Sequence, residues 1–214
     1  MTNSTKEIIE SIGIIPVLRA KSTKEGHAIV EAMLAGGVKV VEVTMTVPGA
    51  IDLLSELRQK YPELLLGSGT VTDAEQAEAT IRAGAEFVVS PSLHLDVIAK
   101  TKELGKLSIP GALTPTEVIT AWKAGADYVK VFPCSAAGGA SYLKALLAPF
   151  PFLRLIPTGG VTLQTAPDFL KAGARALGVG ADLVNATAIA NGKPEVITEA
   201  ARSYLEMVQA FRQT

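Results

Sequence analysis

The 214-residue chain contains a single cysteine and only two histidines. The one thiol, Cys134, has no second cysteine with which to form a disulfide within the chain. Together with His27 and His94, it is a poor ligand set for a zinc site built by the protein itself. We therefore predict no structural metal.

The sequence also lacks an apolar run near the roughly 20 residues that a membrane-spanning helix needs, and its polar amino terminus shows no signal-peptide pattern. Charged residues make up 19% of the chain and the formal net charge is −1, so no basic excess points to nucleic acid or an anionic membrane. The 48% of hydrophobic residues excludes a disordered chain. We expect a cytoplasmic protein with no nucleic-acid and no membrane partner.

The length is a common size for one α/β domain, and no linker or low-complexity tract divides the chain. We therefore predict a single domain over residues 1–214. The segment before Ile12 predicts a short extra helix that plugs the bottom of the fold. The stretch Pro194–Arg212 predicts the final helix.

Short β-branched runs alternate with amphipathic stretches along the chain, a pattern typical of a parallel α/β fold. Eight such runs fit a closed (β/α)8 TIM barrel. An open doubly wound sheet has the same local alternation, but the first predicted strand is not followed by the glycine-rich turn of dinucleotide-binding folds. The predicted strands are Ile14–Leu18, Val38–Thr44, Leu64–Ser68, Phe87–Ser90, Leu107–Pro110, Tyr128–Phe132, Leu153–Pro157 and Ala176–Gly180.

An Ala-Gly pair precedes a predicted strand four times, beginning at Ala35, Ala83, Ala124 and Ala172. A glycine just past a helix end adopts the left-handed conformation and turns the chain into the next strand. The repetition has two explanations: ancestral duplication, or four loops that each needed the same cap. Both preserve the alternation of strands and helices.

In (β/α)8 barrels the active site lies where the strands end, and three charged residues lie there in apolar surroundings: Arg19, Glu42 and Lys130. A charge in such a place is costly unless it is paired or used. An amine must be neutral to attack a ketone, and burial close to a cation favours the neutral form. Lys130 is thus a candidate Schiff-base lysine; the alternatives are a structural ion pair with Glu42 or an ammonium that reaches solvent.

Glu42 is the natural partner, because a carboxylate near an imine-forming lysine can carry protons. The spacing does not determine to which face of its strand the Glu42 side chain points. Glu42 follows Gly36 by six residues, whereas Lys130 follows Gly125 by five. Side chains alternate along a strand, so superposable loops would send the two to opposite faces. A bulge, or a one-residue difference between the loops, would bring both inward.

Two glycine-bearing segments follow the seventh and eighth predicted strands. In many barrels these two loops form a phosphate cradle of backbone N–H groups, which glycine allows an anion to approach. Each loop alone is weak evidence, but the two together at the expected places are more specific. The predicted ligands are Thr158, Gly159, Gly160, Gly178, Gly180 and Ala181.

Several segments occur in a recognisable order: GIIPVLRA, GGVKVVEVTMTVPGA, GSGTVT, FVVSP, PGALTPTE, YVKVFPCSAAGG and PTGGV. As an ordered set from about Ile12 to Gly180, they closely resemble the 2-keto-3-deoxy-6-phosphogluconate and 4-hydroxy-2-oxoglutarate aldolase family. The resemblance implies a class I aldolase with a (β/α)8 barrel, usually a homotrimer, that requires no metal or diffusible cofactor. It implies cleavage of a 2-keto-3-deoxy sugar acid, 2-keto-3-deoxy-6-phosphogluconate, to pyruvate and D-glyceraldehyde 3-phosphate, and/or of 4-hydroxy-2-oxoglutarate to pyruvate and glyoxylate.

The resemblance also implies roles for individual residues. Lys130 matches the Schiff-base lysine, Glu42 the proton-shuttling glutamate, and Arg19 an arginine that holds the pyruvate carboxylate or tunes the lysine. Further pocket positions of the family fall on Thr70, Pro91 and Phe132, and its phosphate loops fall on Gly159, Gly160 and Gly180.

The chain departs from the family pattern at two positions. Some members have an arginine where this chain has Thr46, and many have a serine or similar donor where it has Ala181. The second departure removes a hydroxyl from the phosphate cradle, and so leaves open how strongly a phosphorylated substrate is preferred.

Two other functions compete. A metal-dependent ketose-phosphate epimerase or decarboxylase needs histidine and carboxylate ligands at strand ends, whereas His27 and His94 fall on predicted helices. A non-catalytic barrel that senses a keto acid or sugar phosphate would have no need to retain Lys130, Glu42 and Arg19 together.

Overall fold

The structure is a computed structural model that describes residues 4–213. Within these residues it contains nine parallel β-strands, ten α-helices and one short 3-10 helix over Ser135–Ala137. The strands are β1 (Ile14–Leu18), β2 (Val40–Thr44), β3 (Leu65–Gly69), β4 (Phe87–Val89), β5 (Leu107–Ile109), β6 (Gly111–Ala112), β7 (Val129–Val131), β8 (Leu155–Pro157) and β9 (Leu177–Val179).

One helix precedes β1, a helix follows every strand except β5, and two helices follow β9. Within residues 4–213, no helix has the length and apolarity to cross a membrane. The helices are α1 (Thr5–Ile12), α2 (Thr23–Ala35), α3 (Ala50–Lys60), α4 (Ala74–Arg82), α5 (Leu95–Glu103), α6 (Pro115–Lys123), α7 (Gly139–Leu147), α8 (Ala166–Lys171), α9 (Ala186–Ala190) and α10 (Glu195–Arg212). The predicted first and last helices correspond to α1 and α10.

The strands form a curled six-stranded sheet, in the order β5-β4-β3-β2-β1-β9, and a three-stranded sheet, in the order β6-β7-β8. The predicted parallel α/β fold is therefore confirmed, and each predicted strand has a counterpart. The fifth continues past its expected end as β6, because Pro110 has no N–H for the ladder and interrupts it. The strands do not form the single eight-stranded sheet of the predicted barrel.

Hydrogen bonds cross both junctions between the two sheets. At one junction the N–H of Asp127, two residues before β7, donates to the carbonyl of Ser108 in β5 at 2.9 Å. At the other, Thr158 forms an isolated parallel bridge with Gly178. The two sheets thus face a common interior.

The glycines that end the helices determine where each strand begins. Gly37 after α2 and Gly125 after α6 are left-handed, with φ of +93° and +98°. Gly36, by contrast, ends α2 with an ordinary φ of −83°. The turn that leads into β2 is therefore made by the second glycine of the Gly-Gly pair, because a left-handed φ suits glycine.

The position of the left-handed glycine determines to which face of its strand the Glu42 side chain points. Counted from the left-handed glycine, Glu42 follows Gly37 by five residues and Lys130 follows Gly125 by five. Alternation along the strands then points both side chains to the same face. The extra glycine is the one-residue difference between the loops that brings Glu42 inward.

Helix α1 covers the amino-terminal end of the strands, where the sequence predicted a plug. Tyr128 donates its hydroxyl proton to Glu10 of this helix at 2.8 Å. Asp127, only 6% exposed, accepts three hydrogen bonds. Its donors are Lys6 Nζ at 2.7 Å, Lys102 Nζ at 2.7 Å and the Ser108 N–H at 3.0 Å. Burial alone would raise the pKa of Asp127, but these hydrogen bonds outweigh it and lower the pKa.

Replacing Asp127 by Asn should lower the free energy of unfolding at pH 7 by about 2 kcal/mol, because bonds to a charged acceptor are lost. Since the pKa of Asp127 is lowered on folding, its contribution is present above the ordinary value of 3.8 and is lost as pH falls through the folded value. The difference between wild type and variant should therefore shrink below pH 4. Urea unfolding, followed by circular dichroism at pH 7 and pH 3, measures the free energy of unfolding of wild type and variant.

The control is Glu78→Gln, which breaks an exposed ion pair with Arg82 and should leave the free energy of unfolding nearly unchanged, because solvent screens such pairs. If Asp127→Asn lowered the free energy of unfolding by the same amount at both pH values, the charge of Asp127 would not be what stabilises the fold.

Candidate active site

Lys130 and Glu42 meet in the interior between the two sheets. Lys130 is the middle residue of β7 and Glu42 the middle residue of β2, and their exposures are 6% and 3%. The Lys130 Nζ and the Glu42 Oε1 are 3.9 Å apart. This separation is within ion-pair range but too long for a hydrogen bond. Strands β2 and β7 belong to different sheets. The two side chains therefore meet only because the sheets curve around one interior.

The Glu42 carboxyl group is buried and incompletely paired. Its Oε1 accepts no hydrogen bond from any of residues 4–213. Burial raises the pKa of Glu42, although the charges of Lys130 and Arg19 act in the opposite direction. Gly69 provides the space, because a Cβ there would overlap the Oε1. Glu42 thus holds a proton more readily than an exposed glutamate and suits general acid–base work.

Phe132, two residues beyond Lys130, lies beside the amine. The Lys130 Nζ is 5.3 Å from the centre of its ring, within the range of a cation–π contact. The ring also packs against Gly159, where an added Cβ would press on it at 3.2 Å. Phe132 therefore forms an apolar wall of the space above the lysine.

A cavity of about 720 Å³ opens above Lys130 at the carboxyl-terminal edge of the strands. Eight predicted residues line it: Arg19, Lys130, Phe132, Thr158, Gly159, Gly160, Gly180 and Ala181. The structure thus brings the predicted lysine, the predicted arginine and both glycine loops around one space of a size suited to a small ligand.

Four predicted residues do not line this cavity. Glu42 lies beneath it, against Lys130. Gly178 lies behind Thr158, whose Oγ1 would overlap a Cβ at position 178. Pro91 follows β4 and its backbone packs against Gly111.

Thr70 is the fourth, and it follows β3 at the same edge of the sheet. Its φ of +59° makes it the only non-glycine with positive φ among residues 4–213. A β-branched residue in this conformation is an outlier that costs about 1–3 kcal/mol and that commonly occurs at functional sites.

The glycine loops form the far side of the cavity. Gly159 and Gly160 are both left-handed, with φ of +87° and +77°, so a residue with a side chain would be strained at either position. Asp182 lines the same side, and its Oδ2 accepts bonds from the Tyr204 hydroxyl at 2.6 Å and from the Leu163 N–H at 3.0 Å.

Half of the residues that line the cavity were not predicted from the sequence. The polar residues Asp182 and Asn185 lie just beyond the eighth predicted strand, a position that could have marked them as candidates. The apolar ones carried no such signal. The missed residues are Val17, Val161, Thr162, Asp182, Val184, Asn185, Ala186 and Thr187.

The histidines lie apart from the cavity lining. His27 lies on α2, as predicted, and pairs with Glu56 at 2.6 Å. His94 is the residue just before α5 rather than within it, and contacts the Ser92 hydroxyl at 2.9 Å. Over residues 4–213, no group of three or more histidine, cysteine or acidic side chains is arranged to hold a metal ion.

A buried lysine beside a buried carboxyl, at the carboxyl edge of parallel strands, is the arrangement of a lyase that works through an amine–carbonyl adduct. The family model "Aldolase: KDPG and KHG aldolase" matches residues 5–200. The chain belongs to the KDPG and KHG aldolase family, and the resemblance and the lyase class expected from the sequence are confirmed.

Individual relatives agree with the family model over nearly the whole chain. The 2-dehydro-3-deoxy-phosphogluconate aldolase of Treponema pallidum is 34% identical over 203 residues, 94% of this chain and 96% of the relative. The KHG/KDPG aldolase of Escherichia coli K12 is 32% identical and 95% of each chain is covered. A KDPG aldolase from Legionella pneumophila, crystallised with pyruvate as a covalent carbinolamine intermediate, superimposes with a TM-score of 0.88, at 30% identity over 94% of this chain and 98% of its own.

Replacing Lys130 by Met should raise the pKa of Glu42 further, because it removes the charge that most lowers it. Replacing Arg19 by Ala should raise the same pKa less. Titration of ¹³C-carboxyl-labelled glutamates by NMR measures both shifts. Exposed Glu78, whose pKa is lowered by Arg82, is the internal control and should not move. An unchanged or lowered pKa of Glu42 in Lys130→Met would contradict the electrostatic coupling.

Proposed function

We propose that this chain is a class I aldolase acting on 2-keto-3-deoxy-6-phosphogluconate, which it cleaves to pyruvate and D-glyceraldehyde 3-phosphate. The second substrate of the proposal, in addition to the first or in place of it, is 4-hydroxy-2-oxoglutarate, which is cleaved to pyruvate and glyoxylate. The observation that carries the proposal is the buried Lys130 amine, which lines the cavity 3.9 Å from the Glu42 carboxyl. Family membership and the carbinolamine of the Legionella relative support the same chemistry.

The first stage joins substrate and enzyme. The neutral Lys130 amine attacks the C2 ketone and gives a carbinolamine, and Glu42 then protonates the departing hydroxyl so that water leaves. The product is an iminium ion between Lys130 and C2. A Glu42 that retains its proton through burial suits this acid step.

The second stage breaks the C3–C4 bond. Glu42, now a carboxylate, takes the proton of the C4 hydroxyl, directly or through a water. C4 leaves as an aldehyde while the bonding electrons move into the iminium and form an enamine. Glu42 returns its proton to C3 and restores the iminium ion. Water then adds to C2, Glu42 takes the proton that this addition releases, and pyruvate leaves as the neutral Lys130 amine re-forms. The lysine and the glutamate end in their starting states, so no outside oxidant or reductant is needed.

The remaining predicted residues bind the two ends of the substrate. Arg19 holds the pyruvate carboxylate, because a guanidinium can bind both carboxylate oxygens at once. Thr70, Pro91 and Phe132 shape the pocket around the pyruvyl group. Backbone N–H groups of the two glycine loops receive the phosphate. The residues in this last role are Thr158, Gly159, Gly160, Gly180 and Ala181, whereas Gly178 leaves room for the Thr158 side chain behind the cavity.

The proposal extends to the barrel, the single domain, the oligomeric state and the compartment of the protein. We propose that the two sheets form one closed (β/α)8 barrel, supported by the hydrogen bonds at both junctions. The chain is a single domain over 1–214, of which 1–3 and 214 lie outside the described residues. The resemblance supports a homotrimer that works without a metal or diffusible cofactor. Composition supports a cytoplasmic enzyme whose partners are small molecules rather than nucleic acid or membrane.

The two competing functions are not favoured. The family model and the relatives are aldolases, whereas the metal-dependent epimerases and decarboxylases depend on histidine ligands at strand ends. A non-catalytic sensor has no use for a buried lysine beside a carboxyl group with a raised pKa.

Borohydride treatment with pyruvate should add one stable reduced adduct to Lys130, because borohydride reduces the iminium to a secondary amine. Intact-protein mass and peptide mapping locate the adduct. Lys130→Met should take up no adduct, and Glu42→Gln should form it more slowly, by about 10²–10⁴ for lost acid–base help. An unchanged protein mass in the wild type would refute the proposed mechanism.

Replacing Ala181 by Ser should raise kcat/KM for the phosphorylated substrate about five-fold, the effect of one added hydrogen bond to the phosphate. The value for unphosphorylated 2-keto-3-deoxygluconate should stay the same. Parallel assays of released pyruvate measure both. Equal gains for the two substrates would mean that position 181 does not contact the phosphate.

A further inference from the structure

The hydroxyl group of Thr44 links the ends of two neighbouring strands. Thr44 is the last residue of β2 and is fully buried, on the same face of the strand as Glu42. Its Oγ1 donates a hydrogen bond of 2.9 Å to the carbonyl of Leu18, the last residue of β1. This bond fixes the orientation of the peptide that joins Leu18 to Arg19.

Thr46 completes the arrangement from the loop after β2. Its Oγ1 is 2.7 Å from the Oγ1 of Thr44. A hydroxyl has one proton to give, and Thr44 gives it to Leu18, so Thr46 must donate to Thr44. The proton of Thr46 is therefore engaged and is not free for a substrate carboxylate, which accepts hydrogen bonds.

The Arg19 side chain has no comparable support of its own. The guanidinium is exposed at the cavity, and among residues 4–213 it has no hydrogen-bond or ion-pair partner. A long side chain without a hydrogen bond or an ion pair depends more on the backbone that carries it for its direction. The peptide held by Thr44 is the one that enters Arg19.

We propose that Thr44, supported by Thr46, is a positioning residue that sets the direction of Arg19 toward the pyruvate carboxylate. The proposal rests on the proposed function and adds how the carboxylate-binding group is held. The competing account is that Thr44 acts on Glu42, its neighbour on the same strand face. That account predicts a change in kcat rather than in substrate affinity.

The test is Thr44→Val, which removes the hydroxyl and keeps the branched shape. The pyruvate concentration for half-maximal borohydride trapping of Lys130, and the KM of the cleavage reaction, should each rise about five-fold. The kcat should stay within about two-fold of wild type, since chemistry at Lys130 is untouched. Thr44→Ser should restore wild-type values because it keeps the hydroxyl. Thr46→Val should raise KM in the same direction but less, and it preserves the test if Thr44→Val fails to fold.

The matched control is Thr101→Val on α5. Thr101 is also fully buried and its hydroxyl also donates to a backbone carbonyl, that of Val97 at 2.7 Å. It lies outside the cavity lining, so the control should lose similar thermal stability and keep both KM and trapping unchanged. A KM rise in Thr101→Val equal to that in Thr44→Val would show a general loss of stability and would overturn the proposal.

A double-variant cycle decides whether Thr44 acts through Arg19. In an Arg19→Ala background, adding Thr44→Val should leave the half-maximal pyruvate concentration unchanged, because the group that it positions is gone. A further five-fold rise in that background, or a fall in kcat without a KM change, would overturn the proposal. Failure of wild type to be trapped would instead refute the aldolase function itself, so the two failures are distinguishable.

Discussion

The contact between Lys130 and Glu42 is the constraint on which the rest of the structure depends. Each charge taken from water into this interior costs several kcal/mol, and a pair recovers that cost only with close geometry and full hydrogen bonding. Here the atoms are 3.9 Å apart and the Glu42 Oε1 has no hydrogen-bond partner among the described residues. The surrounding apolar strands must therefore hold the pair in place, and Gly69 must leave it room.

Buried and charged groups are fully hydrogen-bonded at one end of the strands and incompletely paired at the other. At the amino-terminal end, Asp127 is satisfied by two lysines and a backbone N–H. At the carboxyl-terminal end, Glu42 is left incompletely paired and Arg19 has no hydrogen-bond or ion-pair partner within residues 4–213. The first arrangement stabilises the fold through α1. The second leaves these groups incompletely paired, among the described residues, at the edge where the strands of parallel α/β folds end and ligands commonly bind.

Much of the scaffold could be predicted because its signals are local. Periodicity identified eight of the nine strands within residues 4–213 to within two residues, since a buried strand needs a run of apolar side chains whatever its neighbours. Chemistry identified Lys130 and Arg19, because a charge in an apolar run is conspicuous. Pro110 shows where local signals fail: its break in the ladder matters only because β7 pairs just beyond it. Asp182 and Asn185 were missed because the cavity that they line is built by several segments together.

The sequence by itself determined the parallel α/β class and the family, and it made Lys130 and Glu42 the candidate reactive groups. Those conclusions rest on composition, periodicity and ordered motifs, which are properties of the chain alone. Only the tertiary structure decided that Glu42 faces Lys130, because that depends on which glycine of the Gly-Gly pair turns left-handed. It also decided which groups lack partners, since hydrogen bonding between distant strands is a property of their packing.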